Sequence, residues 1–182
     1  MIQVQLGTAA NLRSAIRAML CAGLLVTFEA AAATAPIKLA VFDFELEDFS
    51  AGGSSAETTS SDAAHLTNVT ESVRQLVAQS GRYRVIDVES VAAPAVRSHA
   101  LRDCNGCDAE IASKLGAEQS LVGVVSRISR TEYVVKFQVR DTRTGAIVAA
   151  ADSGLRMGAD YSWSRGATRL IEDQLLHSRL ER

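Results

Sequence analysis

The sequence predicts an α/β fold: a single mixed-sheet domain in the order β-α-β-α-β-β-β-α, a parallel crossover followed by an antiparallel meander. Three observations lead there. Residues 37–46 (IKLAVFDFEL) form a nearly continuous run of apolar, β-favouring types. A stretch of helical periodicity separates that run from a second short strand pattern. Three further strand patterns then follow in close succession before a final amphipathic segment.

The first strand carries Leu39, Val41, Phe42 and Phe44. Its continuity predicts a central strand covered on both faces. Residues 49–61 (FSAGGSSAETTSS) are small and polar, bury too little surface to offset ordering, and predict a flexible loop. Leu66, Val69, Val73, Leu76 and Val77 then fall on one helical face, with Ser61 or Asp62 as the cap and Gly81 as the stop. Residues 82–88 alternate as the second strand, and residues 89–103, containing Pro94, are irregular or a short helix. A short helix is expected to open at Cys104, with Ile111, Ala112 and Leu115 inward and Gly116 at its end.

Residues 119–128, 132–140 and 146–157 make the meander. The middle strand alternates cleanly: Tyr133, Val135, Phe137 and Val139 oppose Val134, Lys136, Gln138 and Arg140. One side should therefore meet the core and the other water or a partner. Residues 141–145 (DTRTG) have hairpin-turn chemistry. A last helix from about Ser162 aligns Trp163, Ala167, Leu170, Ile171 and Leu175.

Composition narrows the function classes. With 47% hydrophobic and 22% charged residues, the chain has a globular balance rather than a disordered one. The net charge of −2 and the scattering of cations among acids argue against nucleic-acid partners. The first residues read as a targeting signal: Arg13 and Arg17 precede an apolar run over 18–28 and the small residues Ala31, Ala32 and Ala33. The expected organisation is a signal peptide over 1–33 and a single periplasmic domain over 34–182. The apolar run is short for a permanent span, so no stable membrane span is expected after cleavage. Leu20 stands where a lipid-attachment site at Cys21 would want a small residue.

Cys104-Asn105-Gly106-Cys107 is the sharpest local motif. A CxxC at a helix start can stabilise a thiolate through amide groups and the helix dipole, the basis of thiol–disulfide exchange. No strong aromatic strand leads into it and no proline precedes a later strand, so a structural disulfide in an oxidising compartment is the favoured reading. Haem attachment is excluded by Asp108 where a His is needed, and two cysteines are half a zinc site. Asp43, Glu45, Glu47 and Asp48 crowd the end of the first strand and are weak candidates for a hard cation such as calcium, against the alternative of a solvated strand end. The Gly52–Ser55 stretch lacks a GxGxxG or a Walker Lys. His65, His99 and His177 have no metal-ligand spacing, and no GxSxG is present. No catalytic residue and no cofactor are read from the sequence. Lys136, Gln138 and Arg140 are the candidate interaction surface.

Several segments together resemble a proteobacterial family of exported proteins of unknown function. They are residues 39–46 (LAVFDFEL), 80–83 (SGRY), 101–107 (LRDCNGC), 115–117 (LGA), 122–125 (VGVV) and the Trp163 region. The stretches 41–44, 81–87, 115–125 and 139–145 are also similar to the N-terminal domain of TolB and to the curli-secretion and penicillin-binding-protein-activator lipoproteins. That resemblance implies an interaction or assembly module of the cell envelope. The expectation is a periplasmic, non-enzymatic domain that recognises an envelope protein. The alternatives are a small-ligand or metal sensor at 43–48 and a thiol oxidoreductase at the CxxC.

Overall fold

The computed structural model describes residues 35–50, 59–88 and 100–177. Its strands are β1 (Ile37–Val41), β2 (Glu45–Asp48), β3 (Tyr83–Ile86), β4 (Gln119–Ser129), β5 (Glu132–Asp141), β6 (Ile147–Asp152) and β7 (Arg156–Met157). They form one sheet in the order β3-β1-β4-β5-β6, with β2 beside β4 and β7 beside β5. β1 runs parallel to β3 and β4, whereas β5 is antiparallel to β4 and β6. The mixed sheet read from the sequence is therefore present, its parallel half first and its meander second.

Among the described residues, three α-helices pack on it: α1 (Ser60–Gln79), α2 (Cys107–Lys114) and α3 (Trp163–Ile171). Val69, Val73 and Val77 of α1 and Trp163, Ala167, Leu170 and Ile171 of α3 join Leu39, Val41 and the inward side of β5 in the larger core. On the opposite face, Ala112 of α2 and Leu101 meet Ala40, Phe42 and Val122 in a smaller core. β1 thus feeds both cores with alternate residues, which is why its sequence is apolar without interruption.

The predicted strand over 37–46 is broken into β1 and β2. Val41 stands opposite Leu121 and Glu45 opposite Val124, so one strand holds an extra residue. That residue is bulged out near Asp43, and two polar side chains one turn apart on α1 satisfy the freed backbone. The Arg74 guanidinium donates to the Val41 carbonyl at 3.0 and 3.2 Å and to Asp43 at 3.0 Å. The Phe44 N–H donates to the Thr70 hydroxyl at 2.9 Å. A hydrophobicity pattern carries no trace of this, because Phe42 and Phe44 are both buried, on opposite sides of the sheet.

Other boundaries differ for local reasons. Thr59, not Ser61 or Asp62, caps α1; its hydroxyl accepts from the Asp62 N–H while the Asp62 carboxylate accepts from the Thr59 N–H. α2 opens at Cys107, after a 3-10 turn at Leu101–Asp103, because the four-residue cysteine loop stands between them. The predicted last strand over 146–157 is split into β6 and β7, where Ser153 accepts the Val135 N–H through its hydroxyl and donates its own N–H to the Val135 carbonyl. The proposed signal peptide, residues 51–58 of the expected loop and residues 89–99 lie outside the described residues.

Candidate functional site

Arg127, which no sequence pattern singles out, is the centre of a largely buried ion-pair cluster. It sits on β4 and points to the α1 side of the sheet, only 14% exposed. Its guanidinium donates to Asp48 of β2 at 2.7 Å, to Asp62 in the first turn of α1, and to Asp160 before α3 at 3.3 Å. The same guanidinium lies 5.2 Å from the ring centre of Trp163, and His65 meets the other side of this cluster edge-on to Trp163. Burial by itself would raise the Asp62 carboxyl, but the Thr59 hydroxyl and amide and the Arg127 guanidinium outweigh it and hold Asp62 below its usual value. Burial likewise opposes ionisation of Asp48, and the Ser50 hydroxyl and amide together with Arg127 outweigh it. Arg127 is pushed above its ordinary value because the Asp62 hydrogen bond and the charges of Asp160, Asp62 and Asp48 outweigh burial. One cation therefore ties four elements together.

The four acids read from the sequence are not brought together. The one-residue bulge and the strand alternation distribute them over both faces, and each has its own partner. Asp43 pairs with Arg74 at 3.0 Å. Glu45 accepts from the Leu101 and Arg102 amides and pairs with the Arg102 guanidinium at 3.0 Å. Glu47 accepts from the Ser126 hydroxyl at 2.8 Å and lies 3.7 Å from Lys136. Asp48 belongs to the Arg127 cluster. Among the described residues, no group of three or more His, Cys, Asp or Glu side chains is placed to hold a metal ion.

Lys136, Gln138 and Arg140 share the outer face of β5, as their alternation requires. Lys136 and Gln138 line a shallow groove of about 240 Å³, floored by Val122 and Val124 and bounded by Glu47 and Arg102. Arg140 is turned inward instead. Its Nε lies 3.5 Å from the fully buried Asp108, and its other nitrogens donate to the Gly145 carbonyl at 3.0 Å and to Asn105 at 3.4 Å. Asp108 also accepts from the Ser120 hydroxyl at 2.6 Å. Arg140 thus fastens the cysteine loop and the β5–β6 turn to the sheet. Cys104 and Cys107 are joined as a disulfide with Cα atoms 5.8 Å apart, and both pack against the smaller core.

Among the described residues, four of the seven exposed large apolar side chains sit on or next to β6 and β7, the others being Phe49, Ile128 and Tyr161. Ile147 and Val148 lie on β6, Leu155 and Met157 at β7, and Tyr161 just beyond, with Met157 75% and Tyr161 77% exposed. Among the described strands, β6 pairs with β5 alone, so it is an edge of the sheet. β7 continues the same line along β5 after the Ser153 irregularity.

Residues 37–175 match the model of the DUF3280 family, described as a protein of unknown function (DUF2380). The chain belongs to this family. No curated protein matches it. Among solved structures, the DUF3280 chain is similar to the LpoB C-terminal domain from Salmonella enterica, with 20% identity over 70% of this chain and 87% of that one and a TM-score of 0.47. It is similar to PelC from Paraburkholderia phytofirmans, determined as a dodecamer, with 20% identity over 78% and 86% and a TM-score of 0.47. It is also similar to TolB from Acinetobacter baumannii, with 14% identity, covering 72% of this chain and 25% of that one at a TM-score of 0.40. The family of unknown function expected from the sequence is met by this match, and an LpoB domain and TolB are among the similar structures. With TM-scores below one half, these likenesses define no shared site.

Proposed function

We propose that this chain is an exported accessory domain that acts by protein–protein recognition in the cell envelope and performs no chemistry of its own. The observation that carries this reading is the exposure of Ile147 and Val148 on β6 and of Leu155 and Met157 at β7, two strands that follow one another along β5. Exposed apolar residues scattered singly are ordinary; several along one line are the mark of a surface that another protein covers. The signal-like pattern of residues 1–33 supports export. Among the described residues, no helix is long and apolar enough to cross a membrane. The disulfide at Cys104 and Cys107 suits an oxidising compartment.

The test is in-cell photo-crosslinking of the full chain. A photoreactive residue is placed in turn at Val148, Met157, Gln138 and, on the other edge of the sheet, Arg84. The expected result is a discrete crosslinked species from at least one of the first three positions and none from Arg84, with the labelled chain recovered from the periplasmic fraction. Chain that stays in the cytoplasm, or that gives no crosslink above background at any position, removes the reading.

A further inference from the structure

Asn105 lies inside the four-residue cysteine loop and is followed by Gly106. Of the three asparagines in the chain, it alone precedes a glycine. An Asn-Gly pair carries a reaction of its own. With no side chain on the second residue, its amide nitrogen can close on the asparagine Cγ. Gly106 itself has a structural reason to be glycine, since it caps α2 at a φ of 105°, where a side chain is strained. Asn105 is not fixed in this way. Its side chain is exposed, and among the described residues it is met by the Arg140 guanidinium, which donates to Oδ1 at 3.4 Å.

The attacking nitrogen is held back. The Gly106 N–H donates to the Cys104 carbonyl at 3.0 Å, a three-residue turn centred on Asn105. The Gly106 carbonyl accepts from the Ala109 and Glu110 amides at 3.1 and 3.3 Å. Gly106 is therefore fixed through both its nitrogen and its carbonyl, and the Cys104–Cys107 disulfide closes the loop around it. Base must take the Gly106 proton before the nitrogen can attack, and a proton engaged in a hydrogen bond is out of reach until the turn opens. We infer that Asn105 is a self-modification site that the disulfide keeps shut: reduction of Cys104–Cys107 frees the turn, and Asn105 then deamidates. This inference does not depend on the recognition role proposed above.

The steps balance with a dithiol and water as the only co-reactants. The dithiol gives two electrons and two protons to the disulfide and leaves as its own disulfide. Hydroxide removes the Gly106 amide proton, and the nitrogen attacks Cγ of Asn105. A ring C–N bond forms, the bond from Cγ to the side-chain nitrogen breaks, and ammonia leaves with a proton from water. The succinimide takes up one water and opens at either carbonyl, to aspartate or isoaspartate. Negative charge develops on Oδ1, the atom that faces Arg140. The product sets a second carboxylate beside Arg140, which already faces the buried Asp108. A disulfide can form again, but the lost amide does not return, so the new charge is a lasting record of reduction.

The experiment compares three forms of the full chain at mildly alkaline pH: oxidised, kept reduced by a dithiol, and Cys104→Ser with Cys107→Ser. Ammonia release and peptide mapping in heavy-oxygen water locate the new carboxylate. The oxidised chain should deamidate at Asn105 at least about tenfold more slowly than the two open forms, the combined effect of one hydrogen bond and the loop closure. The rate in the open forms should rise with pH, and Asn68, which precedes Val69 in α1, should stay intact. Hydrogen exchange should find the Gly106 amide protected in the oxidised form alone. Asn105→Gln should stop the reaction in every form, because the longer side chain must close a larger ring. Trp163 fluorescence shows which forms stay folded. If the open forms unfold, a peptide of residues 101–108 with both cysteines replaced by serine is the unrestrained reference, and the oxidised chain must still be slower by the same factor. Equal rates in oxidised and open forms, a Gly106 amide that exchanges freely in the oxidised chain, or open forms that keep Asn105 intact overturns the inference.

Discussion

Replacing Arg127 by Met removes the cation that Asp48, Asp62 and Asp160 share while keeping most of the apolar stem in place. Asp48 and Asp62 are 7% and 5% exposed, so water cannot take over from the guanidinium. Each keeps part of its hydrogen bonding, Asp48 from Ser50 and Asp62 from Thr59. Breaking a buried pair by removing one partner costs about 3–5 kcal/mol; the retained hydrogen bonds put this case near 3 kcal/mol. For a domain of this size that is a fall in melting temperature of about 6–12 °C. Urea unfolding followed by circular dichroism and by Trp163 fluorescence measures it, since Trp163 is the single tryptophan and touches the guanidinium. The pH dependence has a fixed sign. Asp48 and Asp62 are held below their unfolded values, so their contribution is complete above the unfolded carboxyl range, about pH 4, and is lost as pH falls through the lower folded values. The Met variant should lose the share of that acid-side dependence that Arg127 supplies, keeping what Ser50 and Thr59 supply, and adding Asp62→Asn should restore part of the stability. A loss below about 1 kcal/mol, the worth of an exposed pair, would refute the reasoning.

Three other perturbations test separate parts of the fold. Gly123→Ala would drive a Cβ into the buried Phe44 ring, so it should cost about 1–3 kcal/mol in urea melts; a neutral result would mean the ring has room to move. Thr59→Ala removes half of the α1 capping box and should cost about 1 kcal/mol with an unchanged denaturant slope. Replacing Cys104 and Cys107 together by Ser opens only a four-residue loop, for which chain entropy gives about 2 kcal/mol. Partner crosslinking by the folded double variant should persist, and its loss would point to chemistry at the cysteines.

The helix faces and the meander were legible because each has a strong period. Val69, Val73 and Val77 in α1, and Trp163, Ala167, Leu170, Ile171 and Leu175 at the end of the chain, are buried as their spacing requires. The alternation of β5 is likewise reproduced residue by residue. What the sequence hid depends on contacts between distant segments. Arg127 looks like one more polar residue near a strand end, although it is the only cation within the 119–129 pattern, and that isolation was the available signal. Its carboxylate partners lie about 80, 65 and 33 positions away. Arg140 shares the alternation of Lys136 and Gln138, but period two fixes only the side of the sheet; the buried Asp108 decides that Arg140 turns inward. The acids at 43–48 read as a cluster because they are adjacent in the chain, and the fold separates them across two faces.

The bulge at Asp43 means that the first strand keeps two counting frames. Odd-numbered residues face α1 up to Val41, and even-numbered ones do so from Phe44 onward. Deleting Asp43 would leave composition and hydropathy almost untouched. It would nonetheless force either the Leu46 side chain outward or the Ala40 and Phe42 pair into the wrong layer. When family members are compared, a gap at this one position is therefore a change of phase, and residues beyond it correspond by the side of the sheet they face, not by their distance from Ile37.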